Sequence, residues 1–227
     1  VLNAERRGLW QGLLSERNQN AYKLSAMLSE RWNSTNNYKD ISGSYGEPLF
    51  ELPEQGILGL EQNIGSQLTK KLETVARLIE IGKQDGIKRQ VFVVTLGGFD
   101  THANQAQAHS GLWTDVSNNV DTFMDDLREH NASDNVTLLM FSEFGRRISD
   151  NGSGTDHGAG SVAFAIGEQV KGGIYGEYPS LEPSKQEDGG NVAHNMDFRS
   201  VYTTLLEDWL GVDPVPIAGK FEKINFI

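Results

Sequence analysis

The chain has 227 residues, of which 37% are hydrophobic and 22% are charged, as is typical of a globular protein with one substantial core. Its formal net charge of -11 opposes binding to nucleic acid or to an anionic membrane surface through the overall field of the protein. The chain contains no cysteine, so a bound metal must be held by oxygen and imidazole ligands. No apolar run approaches the roughly 20 residues that span a bilayer. We therefore expect a single domain over residues 1–227 without a membrane span.

Residues 1–88 are predicted to form a helical region interrupted by a long loop. Apolar residues recur at helical spacing between residues 4 and 32, and again between residues 60 and 83. The intervening residues 33–59 are rich in Asn, Ser, Gly and Pro, which predicts a loop. Loops of this length often form lids or binding surfaces.

Two apolar segments follow the helical region and are predicted to be strands. Residues 90–96 and 136–141 are almost continuous apolar runs, as expected for strands that are buried on both faces of a parallel sheet. A predicted helix over residues 105–130 separates them, and the β-α-β order implies parallel strands with a right-handed crossover.

Two further elements complete the predicted core. Residues 161–166 are predicted to form a third short strand, and residues 198–210 a helix that Asp197 caps. The predicted fold class is therefore α/β, with a mostly parallel sheet flanked by helices, and residues 89–227 form its motif-bearing core.

Acidic and histidine side chains follow the predicted strands, at the sheet edge where parallel sheets bind ligands. Asp100 and His102 lie two residues apart after the first strand, so an extended backbone directs both side chains to one side. Glu143 follows the second strand, where a buried carboxylate is costly unless a cation compensates for its charge. Asp156 and His157 are adjacent in a glycine-rich stretch before the third strand. These five residues are the predicted metal ligands, with Asp156 either a ligand or a partner of one.

Each of these groups also has a purely structural interpretation. Asp100 and His102 alone are compatible with a capping carboxylate and a hydrogen-bonded loop histidine, and Glu143 with a salt bridge to Arg146 or Arg147. The occurrence of such groups beside three successive predicted strands favours a metal site. Carboxylate and imidazole ligands together favour zinc or manganese, and magnesium and calcium are the alternatives.

Two adjacent arginines, Arg146 and Arg147, come shortly after Glu143. Guanidinium groups match phosphate, sulfate or carboxylate in a bidentate manner, and pairing with Glu143 or Asp150 is the alternative. The sequence has no Gly-x-Ser-x-Gly elbow, P-loop or Gly-x-Gly-x-x-Gly after a strand, which argues against a hydrolase triad, an NTPase and a dinucleotide enzyme. The pattern identifies no catalytic nucleophile.

Five short motifs occur in order in this part of the chain: Gly98–His102, Ser142–Arg146, Gly154–Gly158, Val170–Gly176 and Asp197–Tyr202. Their order resembles that of the DUF1501 family, which is similar to the alkaline-phosphatase/sulfatase superfamily. The resemblance implies a three-layer α/β sandwich that holds one or two divalent metals and hydrolyses or transfers phosphate or sulfate esters. It also implies a periplasmic or exported location, with a cytoplasmic location as the alternative.

The chain departs from the superfamily pattern at two places. Ser142-Glu143-Phe144-Gly145 stands where the superfamily has Ser-Asp-His-Gly, and Phe144 cannot replace an imidazole ligand. The superfamily nucleophile normally follows an N-terminal strand, whereas this chain opens with predicted helices. We therefore expect either that the N-terminal part is incomplete or that the protein binds metal without covalent chemistry.

Together these features predict a metal-dependent hydrolase of phosphate or sulfate esters. Its substrate would be a small anionic ester, and Arg146 is the predicted anion contact. The alternative is a non-catalytic exported protein that keeps the fold and a structural metal, and that binds a partner through residues 33–59.

Overall fold

The structure is a computed structural model that describes the backbone of residues 64–227 and the side chains from residue 67 onward. The helices and the loop that are predicted within residues 1–59 lie outside the described residues. The chain divides into two units, one formed by residues 1–51 and 77–88 and the other by residues 52–76 and 89–227. The candidate motifs all belong to the second, larger unit.

Helix α1 spans Ile64–Gln84 and confirms the helix predicted between residues 60 and 83. Its first turns belong to the larger unit, where Leu68, Leu72 and Ala76 are buried at intervals of four residues. This spacing places the three side chains on one face of the helix. In the smaller unit the described residues are the end of α1 and the turn after it, and an ion pair of 3.9 Å joins Lys83 to Glu80 there.

Helix α2 spans Gln105–Glu129, as predicted. Its buried apolar residues recur at helical spacing and are Leu112, Val116, Phe123, Met124 and Leu127. A buried hydrogen bond of 2.6 Å from Thr69 Oγ1 to Asn119 Oδ1 joins the first turns of α1 to α2. The N-terminus of α2 follows directly on the segment that carries Asp100 and His102.

Six short strands form three antiparallel pairs in the described residues. The register places Leu139 opposite Ala165 in one pair and Arg146 opposite His157 in another. The pairs are β1 (Leu138–Met140) with β4 (Phe164–Ile166), β2 (Gly145–Asp150) with β3 (Thr155–Gly158), and β5 (Gln186–Glu187) with β6 (Asn191–Val192).

The predicted fold class, a mostly parallel sheet within a three-layer sandwich, is wrong for the described residues. Residues 90–96 form no ladder there, and Val91 and Val93 are 75% and 86% exposed. Their β-branched composition favours extended backbone, but a ladder also requires a neighbouring strand, which local composition does not supply. In addition, the chain turns back through the β2–β3 hairpin after β1, and β4 then pairs antiparallel to β1.

The C-terminal part is mainly helical. The predicted cap is confirmed, because Asp197 Oδ1 accepts a hydrogen bond of 2.9 Å from the backbone nitrogen of Arg199. The helical segments are α3 (Phe198–Thr204), a π-helical continuation (Leu205–Trp209) and α4 (Val215–Ala218), and short 3₁₀ turns occupy Ser133–Asn135 and Pro183–Lys185. Within residues 64–227 no helix combines the length and apolar character needed to cross a bilayer.

Candidate metal centre

The β2–β3 hairpin carries Asp156 and His157, and side chains at its turn hold the backbone: Asp150 Oδ1 accepts a hydrogen bond of 2.8 Å from the backbone nitrogen of Gly152. Asn151 Oδ1 accepts hydrogen bonds from the backbone nitrogens of Ser153 and Gly154 at 3.1 and 2.8 Å. Gly152 has a φ of +95°, which L side chains rarely adopt, so glycine suits this position in the turn. The sequence Asn151-Gly152 therefore sets the turn that brings β3 back alongside β2.

The turn of the hairpin docks on the N-terminus of α2. Ser153 accepts hydrogen bonds from the backbone nitrogens of Asn104 and Gln105 at 3.0 and 3.1 Å. These bonds satisfy two N–H groups at the start of the helix, where intrahelical partners are lacking. The docking also places β3 beside the segment of Asp100 and His102.

The approach of the hairpin to this segment requires a residue without a side chain at position 154. A Cβ atom on Gly154 would lie 2.5 Å from the carbonyl oxygen of Thr101 and 2.7 Å from the carbonyl carbon of His102. Both distances are shorter than real Cβ contacts, and both partners are backbone atoms that cannot rotate away. Gly154 therefore determines how closely β3 approaches the loop that carries Asp100 and His102.

Three side chains from these two segments converge. Ligand atoms of Asp100, His102 and His157 all lie within 4.8 Å of one another. His157 Nε2 is 2.7 Å and His102 Nε2 is 3.0 Å from the same oxygen, Asp100 Oδ1. The side chains are 62%, 48% and 46% exposed for Asp100, His102 and His157, so the cluster is open to solvent.

A second carboxylate supports His102 from the opposite side of its ring. His102 Nδ1 lies 3.3 Å from Asp156 Oδ1. Asn151 Nδ2 donates to the same Asp156 oxygen at 3.3 Å and to the carbonyl oxygen of His102 at 3.0 Å. Both ring nitrogens of His102 contact carboxylates, Nε2 that of Asp100 and Nδ1 that of Asp156, and because an ionised carboxylate only accepts, the tautomer of His102 decides which nitrogen donates.

The electrostatic environment keeps both carboxylates ionised. The hydrogen bond from His157 lowers the pKa of Asp100, and Coulombic interactions with His157, His102 and Arg146 lower it further, while burial acts in the opposite direction. Hydrogen bonds from Asn151 and then from His102 lower the pKa of Asp156. Both carboxylates are therefore deprotonated, as a carboxylate that binds a metal must be.

An aromatic ring covers the imidazole of His157. Phe144 stacks on His157 with ring centroids 4.0 Å apart and an interplanar angle of 13°. The guanidinium of Arg146 lies 4.9 Å from the centroid of the Phe144 ring. Arg146 also donates to the carbonyl oxygens of Phe99 and Thr155, which directly precede Asp100 and Asp156.

The family model described as "Protein of unknown function (DUF1501)" matches residues 65–214, which include every residue of this cluster. The chain belongs to the DUF1501 family. No curated protein and no solved structure matches the sequence. The family resemblance that the ordered motifs predicted is therefore confirmed, and the family description assigns no activity.

In this DUF1501 protein, the structure brings together three of the five predicted ligands and places a fourth beside them. Asp100, His102 and His157 form the cluster, and Asp156 contacts His102. Glu143 is exposed and does not belong to the cluster of described residues that could hold a metal. Its role as a ligand stays a prediction.

Two supporting residues of the DUF1501 site were not predicted from the sequence. Asn151 contacts both Asp156 and the backbone of His102, and an Asn-Gly pair is a strong hairpin signal that could have identified the turn. Phe144 covers His157, but no spacing rule relates residues 13 positions apart, so only the structure reveals this contact.

Proposed function

We propose that this protein binds one divalent cation through Asp100, His102 and His157 and hydrolyses a phosphate or sulfate ester. The convergence of three ligand atoms within 4.8 Å, from two segments more than fifty residues apart, is the observation that supports a metal site. Three protein ligands leave a coordination position open, which is the usual arrangement of catalytic zinc sites.

The donor set fits such a cation. Ligand atoms of a tetrahedral zinc site with bonds of about 2.0–2.1 Å are separated by roughly 3.3 Å. The distances from Asp100 Oδ1 to the two imidazole nitrogens, 2.7 and 3.0 Å, are hydrogen-bond distances shorter than this separation, so the ligand atoms would move slightly apart when a cation binds. Two imidazoles with one carboxylate favour zinc or manganese, because magnesium and calcium prefer oxygen ligands throughout.

A carboxylate beside His102 and the exposure of the cluster to solvent are both consistent with a metal site that acts on an ester. When a cation is bound, a proton on His102 Nδ1 donated to Asp156 would leave Nε2 as the ligand atom and would fix the ring. Histidine ligands in metalloproteins almost always donate their other ring N–H to a carboxylate, a backbone carbonyl or a water. A divalent ion held there supplies Lewis acidity that polarises an ester oxygen. The exposure of the cluster gives a small anionic ester access from solvent.

The same exposure favours a second candidate function, a metal-binding protein without catalytic activity. Active sites usually exclude water from the reacting groups, whereas roughly half of each ligand side chain is accessible here, 46% for His157 and 62% for Asp100. In this case the partner-binding loop predicted at residues 33–59 would carry the function, and it lies outside the described residues.

Metal content and ester hydrolysis separate these possibilities. The protein is loaded with zinc or manganese, dialysed and analysed for bound metal, as wild type and as Asp100→Ala and His157→Ala. His194→Ala serves as the matched control, since His194 is an exposed histidine outside the cluster. We expect about one ion per chain in wild type and in the control, and loss of the ion in both cluster variants.

Activity is then measured on aryl phosphate and aryl sulfate esters with the same proteins. Turnover that follows bound metal across the variants supports the hydrolase. Stoichiometric metal with no turnover on either ester supports the non-catalytic candidate. If the cluster variants retain as much metal as wild type, the site assignment itself is incorrect.

A further inference from the structure

Arg146 contacts both segments that carry the proposed ligands. From its position on β2, its Nη1 donates to the carbonyl oxygen of Thr155 and its Nη2 to the carbonyl oxygen of Phe99. Nη2 also lies 3.4 Å from Thr101 Oγ1. Because Phe99 precedes Asp100 and Thr155 precedes Asp156, a single side chain joins the backbone of the loop to that of β3.

The same guanidinium also reaches the third ligand through an aromatic ring. It lies 4.9 Å from the centroid of Phe144, within the range of cation–π attraction. Phe144 in turn stacks on His157, with ring centroids 4.0 Å apart. Arg146 therefore restrains the backbone next to Asp100 and, through Phe144, the ring of His157.

We propose that Arg146 is a positioning residue that preassembles the ligands for the cation, a role that rests on the proposed metal site. A planar guanidinium can donate to two separate carbonyl oxygens at once, which a lysine ammonium on its flexible stem does not reproduce. Ligands that are held in place before binding cost less conformational freedom when the cation arrives. The two strongest contacts of Arg146 are to neutral backbone oxygens, which distinguishes this role from that of an anion contact.

The direction in which Arg146→Met changes the affinity for the cation separates a positioning role from a simple charge effect. The positive charge of Arg146 repels a bound cation, so its removal should strengthen cation binding if charge is all that matters. If Arg146 positions the ligands, Arg146→Met should instead weaken binding, because the loop and β3 lose their common restraint. Arg146→Lys keeps the charge and loses the two-pronged contact, so it should also weaken binding.

The experiment titrates the full chain with zinc and measures its dissociation constant calorimetrically for Arg146→Lys, Arg146→Met and Phe144→Leu. Arg147→Lys and Arg147→Met are the matched controls. Arg147 is adjacent in sequence and donates to the carbonyl oxygens of Asp188 and Gly189. Its charge also lowers the pKa of Asp156, so Arg147→Lys, which keeps that charge, is the closer control. We expect both Arg146 variants to bind zinc about tenfold or more weakly, as for other supporting residues of metal sites. The Arg147 controls should stay within about twofold of wild type.

A cobalt spectrum provides a second readout that a general loss of stability does not change. Cobalt bound to the folded Arg146→Lys protein should show an altered d–d absorption band, whereas Arg147→Lys should reproduce the wild-type band. Circular dichroism confirms folding, and Arg146→Lys decides the question if Arg146→Met does not fold.

The outcomes also separate this inference from the proposed function. Absence of zinc binding by wild type refutes the metal site and the positioning role together. Zinc binding by wild type with unchanged or tighter binding by the Arg146 variants refutes the positioning role alone. Unchanged zinc affinity in Arg146→Lys with weakened binding of inorganic phosphate overturns it in favour of an anion contact.

Discussion

Replacing Gly154 by alanine tests the close approach of the hairpin to the loop of Asp100 and His102. The new Cβ atom would lie 2.5 Å from the carbonyl oxygen of Thr101 and 2.7 Å from two backbone atoms of His102. Overpacking in folded proteins typically costs about 1–3 kcal/mol. Because all three clashing atoms belong to the main chain, we expect a cost near the upper end, ~2–3 kcal/mol of unfolding free energy.

Gly97 provides a matched control in the same loop. A Cβ atom there would meet no atom within 4 Å, and its φ lies outside the left-handed region. Gly97→Ala should therefore change the unfolding free energy by no more than about 0.5 kcal/mol. Urea denaturation of the two variants and wild type measures the difference at constant m value.

Gly154→Ala should also weaken zinc binding, since the clash separates His157 from Asp100. Loss of stability without loss of zinc affinity would show that the hairpin contributes to the fold and not to the cluster. Equal unfolding free energies for Gly154→Ala and Gly97→Ala would refute the packing argument.

Three further predictions follow from other contacts. The pKa of Asp197 is lowered to about 2, and the largest cause is its side-chain hydrogen bonds with Arg199. The ionised Asp197 carboxylate therefore contributes fully to stability above pH ~4, and this contribution is lost as the pH falls towards 2. Asp197→Asn should keep the cap and lower the melting temperature at pH 7. The melting temperature of this variant should also change less than that of wild type between pH 4 and pH 2, as thermal melts at several pH values will test. Thr69→Val removes the buried donor to Asn119 and should lower the unfolding free energy by about 1–3 kcal/mol. Thr74→Val removes an exposed contact to Lys70 and should lower it by less than about 0.5 kcal/mol, as urea titrations of both variants will measure. Zinc at 100 times its dissociation constant should stabilise wild type by about 2.7 kcal/mol, and thermal melts should show that EDTA or His102→Ala abolishes this gain.

The elements that were predicted correctly are those whose signal is local. The apolar spacing of α2 lies within the helix itself, and Asp197 caps α3 through a backbone nitrogen two residues away. Asp100 and His102 likewise lie two residues apart, and their convergence on one side was readable from the sequence. Each of these signals comes from residues that lie close together in sequence, so it does not depend on how distant parts of the chain pack.

Strand direction was predicted incorrectly because it depends on what lies between the strands. The β-α-β order implied parallel pairing of residues 90–96 with residues 136–141, but residues 90–96 form no ladder in the described part of the chain. The next strand to pair with β1 is β4, and the β2–β3 hairpin between them makes that pair antiparallel. The argument for Glu143 depended on the same premise. A carboxylate needs a compensating cation when it is buried, and Glu143 is exposed, so that reason for placing it in the site does not hold.

The site is formed by contacts between polar groups and backbone more than by an apolar core. Ser153 binds the N-terminus of α2, Gly154 lies against the loop, and Arg146 joins the loop to β3. Such contacts are directional, so they fix the distance between Asp100 and His157 without burying either side chain. This explains how a cluster that is about half exposed can still hold three ligand atoms within 4.8 Å. It also explains why Asp100, His102 and His157 were recognisable as candidate ligands from residue type, whereas the contacts that position them, those of Arg146 above all, became apparent only from the structure.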